Sequence, residues 1–446
     1  MIKRIHIKGY KSLRDVELRL EPLTVLFGPN AAGKSNFLDA LQLLGKVCTS
    51  RTLKEAFSPP YRGLPLESFA FDGTGLDGLL ARDSATFSME VDVELSEQVV
   101  ASVNRQIKEM KQVRRDDDES TEGLRTNGSK AKSPRPLAIV RETNLRYRIE
   151  IEIRPKSGIL RVADEYLAAL NERGEPTGKR SPFLSRERDR LHLRMEGQAH
   201  PTHFERYLDH SMLSKSLYPP HYPHITAMQQ ELANWYFFYF EPRERMRAAS
   251  PAREVRHIGL MGEELASYLN TLKVLNETQF RAVEKALQLI IPAVTGIEVG
   301  VNNLGEVDLK LREGERLIPA RVLSEGTLRV LGLLALTGAK DPPALLGFEE
   351  PENGIHPRRI QLIAKLLKSR ANARNTQLIV TTHSPTLLDL IDNKSLFLCR
   401  KDDGETTIER LDESPLFKSG RVAEGLDAED GIASVSDLVL RGDFDA

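Results

Sequence analysis

The stretch Leu23 to Leu41, LTVLFGPNAAGKSNFLDAL, constrains the fold more than any other, because strand, loop and helix signals follow one another without a gap. Leu23, Val25, Leu26 and Phe27 form a short apolar run of β-favouring side chains, and Phe37, Leu38, Leu41 and Leu44 recur at helical spacing. Between them, Gly28-Pro29-Asn30-Ala31-Ala32-Gly33-Lys34-Ser35 fits G-x-x-x-x-G-K-[ST]. The glycines let the backbone curl so that successive N–H groups point inward at phosphate oxygens. A helix opening near Lys34 adds the positive end of its dipole, Lys34 reaches the β/γ-phosphates, and the Ser35 hydroxyl is a ligand for Mg²⁺.

A length of 446 residues suits two or three globular units, and 40% hydrophobic with 28% charged residues can bury a sizeable core. No apolar run approaches the ~20 residues of a membrane span, and MIKRIHIKGYKSL lacks the apolar segment of a secretion signal, so a cytoplasmic protein is expected. Cys48 and Cys399 are the only cysteines, which fits a reducing compartment and argues against a disulfide framework or a cysteine metal site. A net charge of -1 exerts no global pull on nucleic acid, so any DNA contact requires a local patch.

Residues 2–8 and 15–20 alternate apolar and polar side chains as half-buried strands do, with a turn at Gly9 to Ser12. Further strands are expected at Ala85–Leu95 and Tyr147–Ile153, giving a β subdomain. Between them, from Asn104 to Pro136, Arg105, Lys108, Lys111, Arg114 and Arg115 precede Asp116, Asp117, Asp118 and Glu119, and TNGSKAKSPRP follows. So little apolar surface reads as a solvated helix end and a disordered loop, the acidic run cancelling the field of the basic one.

From Lys156 to about Arg256 the pattern reads as mostly helical, with segments near Tyr166–Asn171, His203–Leu217 and Ile225–Phe238. Three divisions are therefore expected: 1–155, an inserted and mainly helical lobe at 156–290, and 291–446. Trp235 to Phe240 is a dense aromatic run, read as buried, whose first half either ends a helix or begins a strand. Arg243, Arg245, Arg247, Arg253 and Arg256 then offer either a phosphate-backbone contact or a salt-bridged surface. Gly259–Ile290 reads as two amphipathic helices, and Ile297–Val301 with Val307–Leu311 as a strand pair.

Three later segments complete a nucleotide core. In RVLSEGTLRVLGLLAL, Ser324 caps a long apolar helix and leaves the N–H groups of Glu325 and Gly326 directed outward, a second anion-binding helix start. The buried-strand run Pro343–Phe348 ends in Glu349 and Glu350, two carboxylates whose repulsion is relieved if one faces Mg²⁺ and the other a water. Thr376–Val380 reads as another core strand, and His383 follows it at the carboxyl edge, where open α/β sheets bind ligands.

The phosphate loop GPNAAGKS, LSEGT, FEEPENGIHP and VTTHSP, in this order, resemble the motifs of ABC-type ATPase heads. With GYKSL before the loop, the set is similar to the RecF/SMC-like ATPases related to the OLD (overcoming lysogenization defect) proteins, over about 1–95 and 285–400. The resemblance implies an α/β P-loop head with an antiparallel β subdomain, binding ATP with Mg²⁺. It implies that Gly28, Pro29, Asn30, Ala31, Ala32, Gly33, Lys34, Ser35 and Asn36 bind the triphosphate, and that Ser35 and Glu349 hold the metal. By the same resemblance Glu350 polarises the attacking water and His383 senses the γ-phosphate. Ser324, Glu325 and Gly326 would contact the γ-phosphate held by a partner protomer.

The sequence departs from the ABC pattern twice. Glu349 stands where most ABC heads have Asp, and no glutamine is placed for the loop that completes the Mg²⁺ shell, Gln42 lying within the helix. About 60 residues follow His383, and Asp427, Asp430, Asp437, Asp443 and Asp445 form no strand-borne cluster, so no built-in nuclease is expected. The function expected is an ATP-driven homodimeric clamp coupled to DNA or to a separate nuclease or toxin in phage defence. The alternatives are a RecF-like repair ATPase and a nucleotide-gated scaffold with little turnover. A transporter subunit fits poorly, since Leu323 lies 288 positions after Ser35.

Overall fold

The computed structural model describes residues 1–59, 61–71, 73–122, 139–178, 180–188, 190–196, 202–204, 207–337, 342–373, 376–414 and 434–442. These form two compact units, one of residues 1–20 and 39–234, the other of residues 21–38 and 235–446.

In chain order, β1 (Ile2–Tyr10) and β2 (Leu13–Arg19) form a hairpin, and β3 (Leu23–Phe27) leads through the glycine loop into α1 (Lys34–Thr49). Two short helices, α2 (Leu53–Ala56) and α3 (Gly75–Ala81), precede β4 (Ala85–Glu94) and α4 (Glu97–Glu122). Then come β5 (Asn144–Arg154), β6 (Ile159–Ala169), β7 (Leu184–Glu187), β8 (Arg190–Leu193), β9 (Thr202–Phe204) and α5 (Pro223–Ala233).

The first unit is built on an antiparallel sheet of eight strands in the order β2-β1-β4-β5-β6-β7-β8-β9. Strict alternation of buried and accessible residues in β5 is what a sheet with one covered face demands. The GYKSL turn is tied down from both sides. The Lys11 ammonium donates to Asp39 at 2.8 Å, Arg62 donates to the same carboxylate at 3.1 Å, and the Tyr10 and Tyr61 hydroxyls meet at 2.8 Å.

The second unit continues with β10 (Trp235–Phe238), β11 (Ser250–Pro251), α6 (Leu265–Leu275), α7 (Glu277–Ile290), β12 (Gly296–Val301), β13 (Glu306–Glu313) and β14 (Arg316–Pro319). After these stand α8 (Glu325–Thr337), β15 (Leu345–Glu349), α9 (Pro357–Asn372), β16 (Gln377–Thr381), α10 (Pro385–Leu388), β17 (Leu396–Asp402), β18 (Glu405–Arg410) and α11 (Val435–Arg441). Its main sheet runs β10-β15-β16-β3-β17-β18, parallel except for β18, and β3 and β16 are buried along their whole length. Such strands are largely apolar because helices cover both faces of a parallel sheet. A second, antiparallel sheet joins β11, β13, β12 and β14.

The segment expected as a helical lobe divides differently. Strands β6 to β9 extend the antiparallel sheet, α5 closes that unit, and 235–290 belongs to the other one. The alanines and leucines of Tyr166–Asn171 favour helix, yet Leu167 pairs with Tyr147 and Ala169 with Leu145, so tertiary pairing overrides local propensity. Of the segment His203–Leu217, the described residues wind only into a single 3₁₀ turn at Met212–Ser214. The buried Glu165 carboxylate accepts from Tyr147 Oη at 2.7 Å, from Ser211 Oγ at 2.6 Å and from the Met212 N–H at 2.8 Å, which holds 211–213 to β6.

The aromatic run starts a strand, and Trp235, Phe237, Phe238 and Phe240 are buried. Residues 104–122, expected as helix end and loop, are helical throughout, and the following TNGSKAKSPRP lies outside the described residues. Asp427, Asp430, Asp443 and Asp445 also lie outside them, while Asp437 caps α11 through Ser434. Both cysteines are buried and free. Among the described residues no helix is long and apolar enough to cross a membrane.

Candidate functional site

Leu26, Thr381 and Glu349 lie in one row across β3, β16 and β15, so the chain leaves three neighbouring parallel strands at the same edge. Gly28 leaves β3 at φ +139, where a Cβ would stand 2.1 Å from the Cys399 carbonyl oxygen. Gly33 closes the loop at φ +99, with Thr406 Oγ1 at 2.1 Å from such a Cβ. Thr406 props the turn from β18, donating to the Ala32 carbonyl at 2.9 Å. Only glycine fits either position, and the curl it permits leaves Asn30 and Ala31 exposed and Pro29, Ser35 and Asn36 half-buried around the mouth.

Lys34 is 5% exposed and donates to the carbonyls of Gly28 at 2.9 Å and Pro29 at 2.8 Å. Burial lowers its pKa, opposed by the carboxylates of Glu350 and Glu349. The two glutamates at the tip of β15 therefore face the ammonium of the loop after β3. Glu350 sits at φ +45, a left-handed conformation that L residues enter at a cost of about 1–2 kcal/mol. Its N–H is held by the Thr381 carbonyl at 2.9 Å, and its carboxylate accepts from Asn353 Nδ2 at 3.3 Å. His383 Nε2 stands 3.7 Å from Glu350 Oε1. Burial and then Lys34 lower the His383 pKa against the pull of Glu350, so the imidazole is neutral at pH 7.

The helix start at Ser324 is separate in sequence but belongs to the same unit. Ser324 is exposed and accepts the Thr327 N–H at 3.1 Å, the capping bond its position calls for. Glu325 is engaged by Arg243 at 2.8 Å. Gly326 is buried against the turn after β15, where an added Cβ would lie 2.0 Å from the Gly354 carbonyl oxygen.

Over residues 23–389 the chain matches the family described as "AAA domain, putative AbiEii toxin, Type IV TA system". The chain belongs to this AAA domain family. A 51-residue stretch is 47% identical to the OLD nuclease of Thermus scotoductus (strain ATCC 700910 / SA-01), covering 11% of this chain and only 10% of that protein. Similar solved structures include the SMC head domain from Thermotoga maritima, with TM-score 0.39 and 14% identity over 92% of this chain and 98% of that one. A second is the Smc head domain with an extended coiled coil bound to the C-terminal domain of ScpA derived from Pyrococcus furiosus, at 0.48 and 12% over 95% and 98%.

In this AAA domain four of the five arginines after the aromatic run engage other residues of the chain through their side chains. Arg243 meets Glu325, Arg247 donates to the Arg321 carbonyl at 3.0 Å and the Leu323 carbonyl at 2.8 Å, Arg253 meets Glu264, and Arg256 meets Glu254 at 3.1 Å. The Arg245 N–H donates to Glu241 at 2.9 Å. These contacts match the salt-bridged surface, the second of the two sequence readings. Gln42 is buried within α1. Among the described residues, no cluster of three or more His, Cys, Asp or Glu is placed to hold a metal.

Three residues of the site escaped the sequence reading. Thr406 supports the loop from far along the chain. Half-buried Arg329 feels Glu325, Glu350, Glu241 and Glu352, although burial lowers its pKa. Glu352 is buried beneath Glu350 and His383. Only Glu352 carried any signal, as the third acid of FEEPENGIHP.

Proposed function

We propose that this AAA domain binds ATP with Mg²⁺, hydrolyses it, and works as a homodimer in which each copy completes the other's pocket. The observation that carries this reading is the convergence of Lys34, Glu349, Glu350 and His383 at one edge of β3, β16 and β15. Residues Gly28 to Asn36 cradle the triphosphate, with backbone N–H groups and the Lys34 ammonium meeting its charge. Ser35 and Glu349 hold Mg²⁺, which supplies charge neutralisation at the phosphates.

Glu350 orients the attacking water and takes its proton, and its fixed backbone limits where that water can stand. A neutral His383 meets the γ-phosphate as a hydrogen-bond donor through one ring nitrogen. Exposed Ser324 and the start of α8 close the pocket of a second copy. The family description, which names a toxin of a toxin–antitoxin system, and the OLD nuclease relative support coupling to a separate nuclease or toxin in phage defence.

Phosphate release from ATP with Mg²⁺ tests the chemistry. Glu350→Gln should still bind ATP, hydrolyse it about 100-fold or more slowly, and run as a dimer or larger assembly on a sizing column with ATP present. A Glu350→Gln protein that stays monomeric at saturating ATP defeats the clamp. Tight ATP binding by the wild type without phosphate release converts the reading into a nucleotide-gated scaffold.

A further inference from the structure

Glu352 is 7% exposed, in the turn that follows β15, and the site as described assigns it no role. Its Oε1 accepts the hydroxyl proton of Thr382, in the turn that follows β16. Thr382 is itself fixed on two further sides: its N–H donates to the Leu26 carbonyl at 3.0 Å, and its Oγ1 accepts the Ser384 N–H at 2.9 Å. The Glu352 carbonyl accepts the Ile355 N–H at 3.0 Å and that of Glu350 accepts the Asn353 N–H at 3.0 Å, so the turn carrying both acids is closed by its own hydrogen bonds. His383 is the residue between the two anchored positions Thr382 and Ser384, and its ring faces Glu350.

Glu352 Oε2 is buried and has no hydrogen-bond partner among the described residues. An unpartnered buried oxygen is a standing cost to stability, so the turn is built around the bond that Glu352 Oε1 does make, to Thr382. That bond fixes the residue immediately before His383, which places Glu352 one step from the site. Burial raises its pKa, opposed by the Thr382 hydroxyl and by the backbone N–H groups of Glu352 and His383.

Building on the ATPase reading, we propose that Glu352 is a positioning residue: through Thr382 it locks the turn after β16 so that the His383 ring is held against Glu350 while the γ-phosphate is attacked. Glu352 touches neither substrate nor water in this account. It acts on His383, and its removal leaves His383 present but misplaced.

A double-mutant cycle in full-length protein tests this. Glu352→Ala should lower kcat about 10- to 100-fold with KM for ATP changed by less than about 3-fold, because orientation and not ground-state binding is lost. In a His383→Ala background the same substitution should change kcat less than about 2-fold, since the residue it positions is gone. Glu352→Gln keeps an oxygen that accepts from Thr382 and should recover most of the rate. Thr382→Val, of similar volume but without the donor, should repeat the Glu352→Ala loss. An NMR titration of His383 reads the same coupling without turnover: its depressed pKa should move toward the ordinary 6.5 in Glu352→Ala. A loss that is undiminished in the His383→Ala background, or a His383 titration unmoved in a folded Glu352→Ala protein, overturns the positioning role. A wild type that releases no phosphate overturns the ATPase reading instead, and the titration still decides the coupling.

Discussion

Glu350 holds a left-handed backbone at φ +45 at the end of a buried parallel strand, anchored there by the Thr381 carbonyl. Strain of this kind survives only where the surroundings over-determine it, and here it aims a carboxylate at the mouth of the loop. Glycine enters that region freely, so Glu350→Gly should be more stable than Glu350→Gln by about 1 kcal/mol while both lose hydrolysis; denaturation midpoints of the two variants check it. His383 makes a pH prediction with a definite sign. Its folded pKa lies below the ordinary 6.5, so between the two values the unfolded chain binds more protons than the native one. Stability contributed by the neutral ring is then complete above 6.5 and lost as pH falls toward the folded value. Denaturation at pH 7.5 and pH 5.5, on the order of one pH unit either side of that value, should show a shallower acid-side loss in His383→Gln than in the wild type.

At the scale of elements, the approach of α8 to the turn after β15 is the tightest constraint on the candidate site. Gly326 and Gly354 pack backbone to backbone, and a single methyl at Gly326 would stand 2.0 Å from a carbonyl oxygen. Backbone cannot yield as a flexible side chain does, so Gly326→Ala should cost about 1–3 kcal/mol and shift the start of α8. Gly300→Ala, whose Cβ meets nothing within 4 Å, is the control that should leave both stability and ATP turnover near wild type. The loop, the turn after β16, the turn after β15 and the start of α8 thus form one connected series within a single unit, through Leu26–Thr382, Thr382–Glu352 and Gly354–Gly326. Local signals announced each of these elements: an apolar run for β3, a Ser cap for α8, a strand-then-histidine for β16. The links between them were silent, because Thr406 and Ala32 are 374 residues apart and a threonine carries no mark of its distant partner.

For the whole molecule, the proposed composite pocket makes complementation the decisive prediction. Lys34→Ala disables a cradle and Ser324→Arg disables a helix tip, so each homodimer should be inactive. Mixed in equal amounts, the two should regain about a quarter of wild-type turnover, since half of randomly paired dimers are mixed and each of these holds one intact pocket. Phosphate release from the mixture measures it, and a mixture no better than its parts would mean that the copies do not share a site. The amino-acid sequence by itself determined the nucleotide core, since a strand, a glycine loop and a capped helix are each specified by neighbours a few residues away. It also specified the acids and the histidine at the strand ends. Only the tertiary structure decided that Tyr166–Ala169 is strand, that β6 to β9 extend one antiparallel sheet, and that Glu352 bonds Thr382 beside His383. Those outcomes depend on which distant segment lies alongside, and burial and backbone pairing outweigh the small intrinsic preference of any one residue.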